Sequence, residues 1–371
     1  MKGNEQIQNA GDNSQQLQAN TINITNVVGI DEKRAREIFN EMYAIARRDF
    51  TQDAYECAND RVAKFEESLM PKMIQIEGAL EAFADPSFQF LLTEAHKTAA
   101  STEREMDYDL LSELLVHRMQ KGEMRKKRAG IKRAVEIVDQ VDDDALCGLT
   151  VAHAVAKILP LTHSILAGLD VLEETFEKLI YMPLPCGSEW LDHLDMLDAI
   201  RLSSYGTLMK MEQYYSGRLS GYVCAGICKE SDNYSKALEI LADANLSDAC
   251  LYENELLDGY VRLPVVEQKD IPQMRMVKQL NVNGQIITEP IALSVQQKNA
   301  LKQVHGLYEK SDTIKQEVSK NFMEEWKKRS SLKVLCEWWD EIPILFNITS
   351  VGTVLAHANA QRCDPTMPPL E

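Results

Sequence analysis

The sequence predicts a mainly α protein: a multi-helix array with a short N-terminal β oligomerisation segment and one β-hairpin near residues 277–288. Three observations predict it. From Asp31 onward apolar residues recur at helical spacing. Asn283-Gly284 stands between two β-prone runs, the pairing expected of a type I′ hairpin turn because both turn residues need positive φ. The first 30 residues hold six Asn and five Gln, with Lys2, Glu5 and Asp12 as the only charges and neither an aromatic residue nor a proline.

That opening repeats itself. Asn4-Glu5-Gln6-Ile7-Gln8-Asn9 is echoed by Asn13-Ser14-Gln15-Gln16-Leu17-Gln18-Ala19-Asn20 and, more loosely, by Asn23-Ile24-Thr25, with Gly11-Asp12-Asn13-Ser14 as a turn signal between the first two. Sparse apolar residues alternating with amides suit short strands whose Asn and Gln side chains ladder between chains, and one such segment cannot bury a core alone. Residues 1–30 therefore read as an assembly tag acting through Ile7, Leu17, Ile22 and Ile24; the bland reading is a disordered polar N-terminus. Asp31 then caps a helical pattern that runs through Ala35, Ile38, Phe39, Met42, Val62, Phe65 and Leu69 to Pro71, either one helix of 40 residues or two joined at Phe50-Thr51. Further helices are expected at 71–84, 86–100, 108–122 and 123–141, with short helices over 145–181.

Met182-Pro183-Leu184-Pro185-Cys186-Gly187 stops any regular element and is taken as the division between an N-terminal helical domain (31–181) and a C-terminal one (188–371). Beyond it, helices are expected at 188–215, 218–229 and 233–244. The hairpin follows, with Leu280, Val282, Gln285 and Ile287 on one face. Helical text returns at 294–326, 332–341 and 351–360. The last unit is a strand at Ile344–Ile348 running into a helix capped by Thr349 or Ser350.

Composition narrows the function classes. An apolar content of 45% over 371 residues is enough for a real core, while a net charge of −17 gives no general footprint for nucleic acid. Cysteines at 57, 147, 186, 224, 228, 250, 336 and 363 lack the close spacing of a disulfide scaffold, which favours a reducing cytoplasm. No signal-peptide pattern opens the chain, and the longest apolar stretch, Ile158–Leu172, is broken by Pro160, Thr162, His163, Ser164 and Asp170, so no membrane span is expected.

Candidate chemistry is sparse. The run Lys121, Arg125, Lys126, Lys127, Arg128, Lys132 and Arg133 is the one place suited to anion or nucleic-acid binding, yet no aromatic residues interleave for base stacking, and a solvated face paired with carboxylates is the preferred reading. Asp192, Asp195 and Asp198 recur every three residues and could serve a divalent metal, against which Leu191, Leu194, Leu197 and Ile200 make the same stretch an ordinary amphipathic helix. Cys224 and Cys228, read as i and i+4 on a helix, lack a second zinc pair and read as core thiols. Cys147, His153 and His163 supply the residue types of a thiol nucleophile and its base, with no context that orients them. Neither a phosphate-binding glycine loop nor a nucleophile elbow, zinc-protease helix or dinucleotide fingerprint is present, so no cofactor or metal is expected and the chain reads as a non-enzyme.

Gly11-Asp12-Asn13-Ser14-Gln15, Gln18-Ala19 and Ile22-Asn23-Ile24 resemble the opening of a family of uncharacterised bacterial cytosolic, mainly helical proteins. So do Ala58-x-x-Arg61-x-x-x-Phe65, Asp85-Pro86-x-Phe88-Gln89 and Thr349-Ser350-Val351-Gly352 with Ala356-x-Ala358-Asn359. The resemblance supplies no catalytic residues; the basic helix at 121–133 departs from it. The amide repeat is also similar to repeats on bacterial conflict and antiphage proteins, which implies a place in antiviral defence. The sequence-based expectation is thus a cytoplasmic homo-oligomer, a scaffold or effector whose partners are its own copies and another protein. Nucleic-acid binding through 121–133 is the alternative, and an enzyme with a carboxylate site at 192–198 the second.

Overall fold

The computed structural model describes residues 30–46, 54–121, 125–160, 162–282 and 285–370; Ile7, Leu17, Ile22 and Ile24 lie outside them. Asp31 opens α1 (Glu32–Ala46) by accepting the Arg34 amide at 2.8 Å, and α2 (Tyr55–Gln75) follows. One continuous helix is ruled out. Arg36 pairs with Glu66 at 2.8 Å, whereas 30 residues of straight helix would hold them roughly 45 Å apart. The two helices instead fold back on each other, with Tyr43 Oη donating to Asn59 Oδ1 at 2.7 Å and the Phe39 and Phe65 rings 5.7 Å apart.

Pro71 does not end α2, which continues through it to Gln75. An interior proline costs about 3 kcal/mol, but Leu69, Met70 and Met73 are fully buried beside it, and each buried side chain of that size returns about 1.5–3 kcal/mol. The chain turns at Gly78, where φ is +74°, into a 3-10 segment, Ala79–Ala84, in place of the expected helix. Asp85 then caps α3 (Pro86–Ser101), followed by α4 (Glu105–Lys121), α5 (Arg125–Ile137), α6 (Asp143–Lys157) and α7 (Ile165–Leu179), close to expectation.

The helix expected over 188–215 is instead α8 (Glu189–Met196), β1 (Ile200–Leu202) and α9 (Met211–Arg218), because Asp198 takes φ +64° and turns the chain out of α8. Nor is 218–229 a helix. At Gly221 and Gly226 a Cβ would lie 2.2 Å and 2.1 Å from the carbonyl oxygens of Val265 and Val261, so the backbone crosses there at a distance open only to glycine. β2 (Ile227–Cys228) pairs with β4 (Tyr260–Arg262), which also pairs with β3 (Tyr252–Glu253), all antiparallel. α10 (Asp232–Asp243) precedes β3. The expected hairpin is present as β5 (Arg275–Val282) and β6 (Gln285–Ala292), antiparallel, with Val282 opposite Gln285 and Leu280 opposite Ile287. α11 (Val295–Gly306), α12 (Asp312–Lys327), α13 (Ser330–Glu341), β7 (Phe346–Ile348) and α14 (Ser350–Cys363) complete the chain, and β7 pairs with β1. The protein is mainly helical with a few short antiparallel strands.

Met182–Gly187, expected to divide two domains, lies within a core that both sides share. That core runs from Ala35 to Ala360; α14 packs on α4, α5 and α6, and Trp338 Nε1 donates to the Pro185 carbonyl at 2.8 Å. A second, smaller core forms between α9 and α12 from α10, α11 and the three-stranded sheet, Cys224 to Tyr308. Arg262, fully buried, bolts the two together: its guanidinium donates to Gly221 O and Leu263 O, and to His163 O at 2.6 Å beside α7.

Candidate functional site

The basic stretch lies on α5. Ile131, Ala134, Val135, Ile137 and Val138 bury one face, and Gly130 lets the helix meet the start of α14, where a Cβ would stand 3.2 Å from Ser350 O. The charged face carries Arg125, Arg128 and Lys132 exposed, with Lys127 and Arg133 half-buried; the side chains of Lys121 and Lys126 lie outside the described residues. Carboxylates already meet part of it. Lys132 and Arg133 lie 3.7 Å and 3.5 Å from Glu136, and Arg133 is also 3.7 Å from Asp198. Near the start of the helix Arg128 faces Arg118, whose pKa is lowered first by burial and then by Arg128; Arg118 in turn lies 3.6 Å from Asp85 and donates to Ser87 Oγ. The Asp85 carboxylate is held low chiefly by the Ser87 amide it caps.

The three aspartates around α8 do not converge. Asp192 is exposed, Asp195 accepts the Leu202 amide at 3.3 Å to start β1, and Asp198 takes a charge-assisted bond from Arg201 at 2.5 Å. Among the described residues no group of three or more His, Cys, Asp or Glu is placed to hold a metal ion.

Cys147 and His153 share α6, but His163 is tied to Pro264 O at 3.0 Å, far from Cys147 in the bonding pattern. The Cys147 thiol donates to Leu179 O and burial pushes its pKa up to about 11, so it is no thiolate near neutral pH. Cys224 sits in the irregular stretch before β2 and Cys228 within it; the helical i and i+4 relation does not exist, and burial likewise pushes Cys224 up to about 11.

A polar cluster lies in the interior at the seam between α6 and α14, which pattern reading of either helix alone could not show. Buried Asn359 donates to Thr150 Oγ1 at 2.8 Å, while Arg362 donates to Asn359 Oδ1 and lies over the Tyr181 ring. One turn away His357 Nε2 donates to Pro368 O at 2.9 Å, leaving His357 Nδ1 as an acceptor for the His153 Nε2–H at 3.3 Å. His117 on α4 joins the group through Gln361. Burial holds His153 neutral, its pKa lowered to about 3. The seam fixes tautomers and helix register, and it pins the 364–370 tail, with Lys178 on Asp364 at 3.1 Å. It contains no activated nucleophile.

The depressions among the described residues include two that are open to small ligands. One, about 370 Å³, is a shallow depression between α9 and α12, lined by Glu212, Ser216, Val223, Lys315, Gln316 and Ser319. The other, about 60 Å³, lies between the 185–187 turn and the end of α13, walled by Trp190 and Trp338. No helix of the described residues is long and apolar enough to cross a membrane.

The motifs that carry the family likeness have structural tasks here. Arg61 donates to the end carbonyls of α3, Ala100 and Ser101; Asp85 caps α3; Thr349 caps α14 by accepting the Val351 and Gly352 amides while its hydroxyl donates to Asp198 O at 2.6 Å. No curated protein and no solved structure matches the chain. The model of an uncharacterised family does, over residues 29–368; this takes in all three of those motifs and leaves out the Gly11–Ile24 repeat. The chain belongs to that family.

Proposed function

We propose that the protein is a homo-oligomeric assembly and interaction protein, in which residues 1–30 join copies and the helical body of residues 29–368 meets a shared protein partner. The observation that carries this reading is the amide-rich repeat, with Ile7, Leu17, Ile22 and Ile24 as its sparse apolar positions, attached outside the region matched by the family. Its apolar content is too small to fold one copy alone, while stacked copies would satisfy both its amides and its backbone. The β5–β6 arm supports the same reading. It is a two-stranded sheet of eight-residue strands that no third strand joins among the described residues, and such a hairpin is marginal until it packs on something else. Joining several bodies raises the effective concentration for a common partner with no new contact. A cytoplasmic role as scaffold or effector in bacterial antiphage defence, implied by the likeness of the repeat, belongs to the same proposal.

Light scattering on the full chain beside a Leu17→Asp, Ile22→Asp variant tests it. The unmutated protein is expected at a multiple of the chain mass and the variant at or near one chain, since an unpaired charge in a stacked apolar row costs several kcal/mol. Equal masses for both would refute it. The exposed Arg125, Arg128 and Lys132 favour nucleic-acid binding as a second reading, weakened by the carboxylates that meet Lys132 and Arg133.

A further inference from the structure

We infer that the crevice between the 185–187 turn and the end of α13 is a binding site for an alkylammonium group. The cavity is about 60 Å³, room for an ammonium head and a few methylenes, and is lined by the Pro185–Gly187 turn with Cys186 in it, by Trp190 and Trp338, and by Glu341 and Ile342. Its walls are aromatic and fixed. The Trp190 and Trp338 rings stand with centroids 5.8 Å apart and planes at 36°, both buried, with Trp338 Nε1 held by Pro185 O and Trp190 set edge-on against Phe346. Ring faces of indole attract cations, and a rigid pair pays no ordering cost when one arrives. The mouth is open at Gly187, where an added Cβ would meet nothing within 4 Å.

The charge at the rim sets the sign of the ligand. Glu341 is the last residue of α13, whose last turn holds no basic residue of its own. Asp340 next to it is engaged, its carboxylate by the Met211 amide and its carbonyl by Lys210. Among the described residues no Lys, Arg or His pairs with Glu341, whose side chain is exposed. A cation in the crevice would stand between this carboxylate and the indole walls. A phosphate or carboxylate would be repelled, and a single carboxylate with apolar walls cannot replace the hydration shell of a metal ion. The ammonium belongs either to a free amine or to a lysine side chain of a partner.

Titration of the full-length protein with n-butylammonium, followed by tryptophan fluorescence and ligand-observed NMR, tests the site. n-Butanol serves as the neutral match and a short lysine-containing peptide as the second source of the same group. Saturable n-butylammonium binding is expected, at least tenfold tighter than n-butanol and weakened at least fivefold by Glu341→Gln, an exposed change that leaves the walls intact. Peptide binding tighter than the amine would support the site and assign a lysine-bearing partner; binding of the amine alone would support it and assign a small molecule. No saturable signal, equal binding of n-butanol, or an unchanged affinity in Glu341→Gln would overturn the inference.

Discussion

Replacing Gly352 by alanine tests whether the join between β1, β7 and α14 is as tight as the structure shows. A Cβ at this position would lie 2.0 Å from Ala199 O and 3.0 Å from Ile348 Cγ2. The first contact is with backbone, in the residue just before the Ile200↔Ile348 pair, so no side chain can swing aside. Relief needs a shift of roughly 1 Å in β1 or α14, and overpacking of that kind costs about 1–3 kcal/mol, with an immovable carbonyl placing it at the upper end. Alanine's better helix propensity offsets at most about 1 kcal/mol. With an unfolding entropy of roughly 2.1 cal/mol/K per residue, a net loss near 2 kcal/mol lowers the melting temperature by about 3 °C in a chain of this size. Gly217→Ala is the control. That glycine is exposed in α9, with nothing within 4 Å of a Cβ, so the same substitution is expected to leave the melting temperature unchanged or raise it slightly. Parallel thermal melts by circular dichroism decide the matter. A Gly352→Ala protein that melts at or above the unmutated one would refute the close approach.

Thr349→Val should cost about 1–2 kcal/mol, read from urea midpoints, because it removes both the α14 cap and the hydroxyl bond to Asp198 O. His96, set among Phe39, Phe65 and Tyr43, and His153 both have folded pKa values lowered to about 3 by burial, below the 6.5 of the unfolded chain. The unfolded state then binds the extra protons, so their contribution is complete above pH 6.5 and falls as pH drops toward 3. Each should lose about 1 kcal/mol between pH 7 and pH 5.5, and His96→Phe should remove its share of that slope; an unchanged slope would contradict the assignment. Fluorescence anisotropy with duplex DNA should show only weak, salt-sensitive binding at physiological ionic strength, abolished when Arg125, Lys126, Lys127 and Arg128 are reversed to Glu. Sub-micromolar affinity would move nucleic acid ahead of assembly.

What was legible in the sequence was what depends on neighbours along the chain. The Asp85-Pro86 start of α3, the Asn-Gly hairpin and the Thr349 cap are local chemistry, and each is found where the residues put it. What was not legible depends on partners far away in sequence. Tyr43 and Asn59 fold a continuous-looking helix in two, Leu69, Met70 and Met73 carry α2 through Pro71, and the crossing of Gly221 and Gly226 by residues 261–265 undoes an apolar pattern that reads as helix. The candidate sites divide the same way. The basic face of α5 was visible from composition, whereas its carboxylate neighbour Asp198 comes from another element. Cys147 and His153 drew notice by type, but the bond from Asn359 to Thr150 spans 209 residues, and Trp190 meets Trp338 only in the fold.

In the proposed arrangement labour is divided between a helical body that folds by itself and an amide-rich segment that joins copies. Ile30 already packs against the main core, so the cut falls before it. Sedimentation equilibrium on the full chain and on residues 29–371, with a thermal melt of each, tests this most directly. The full chain is expected at a defined multiple of its mass and the shortened chain as a single copy, with helical melts of equal sharpness. A shortened chain that keeps the full subunit number, or a full chain that sediments as one copy, would contradict it.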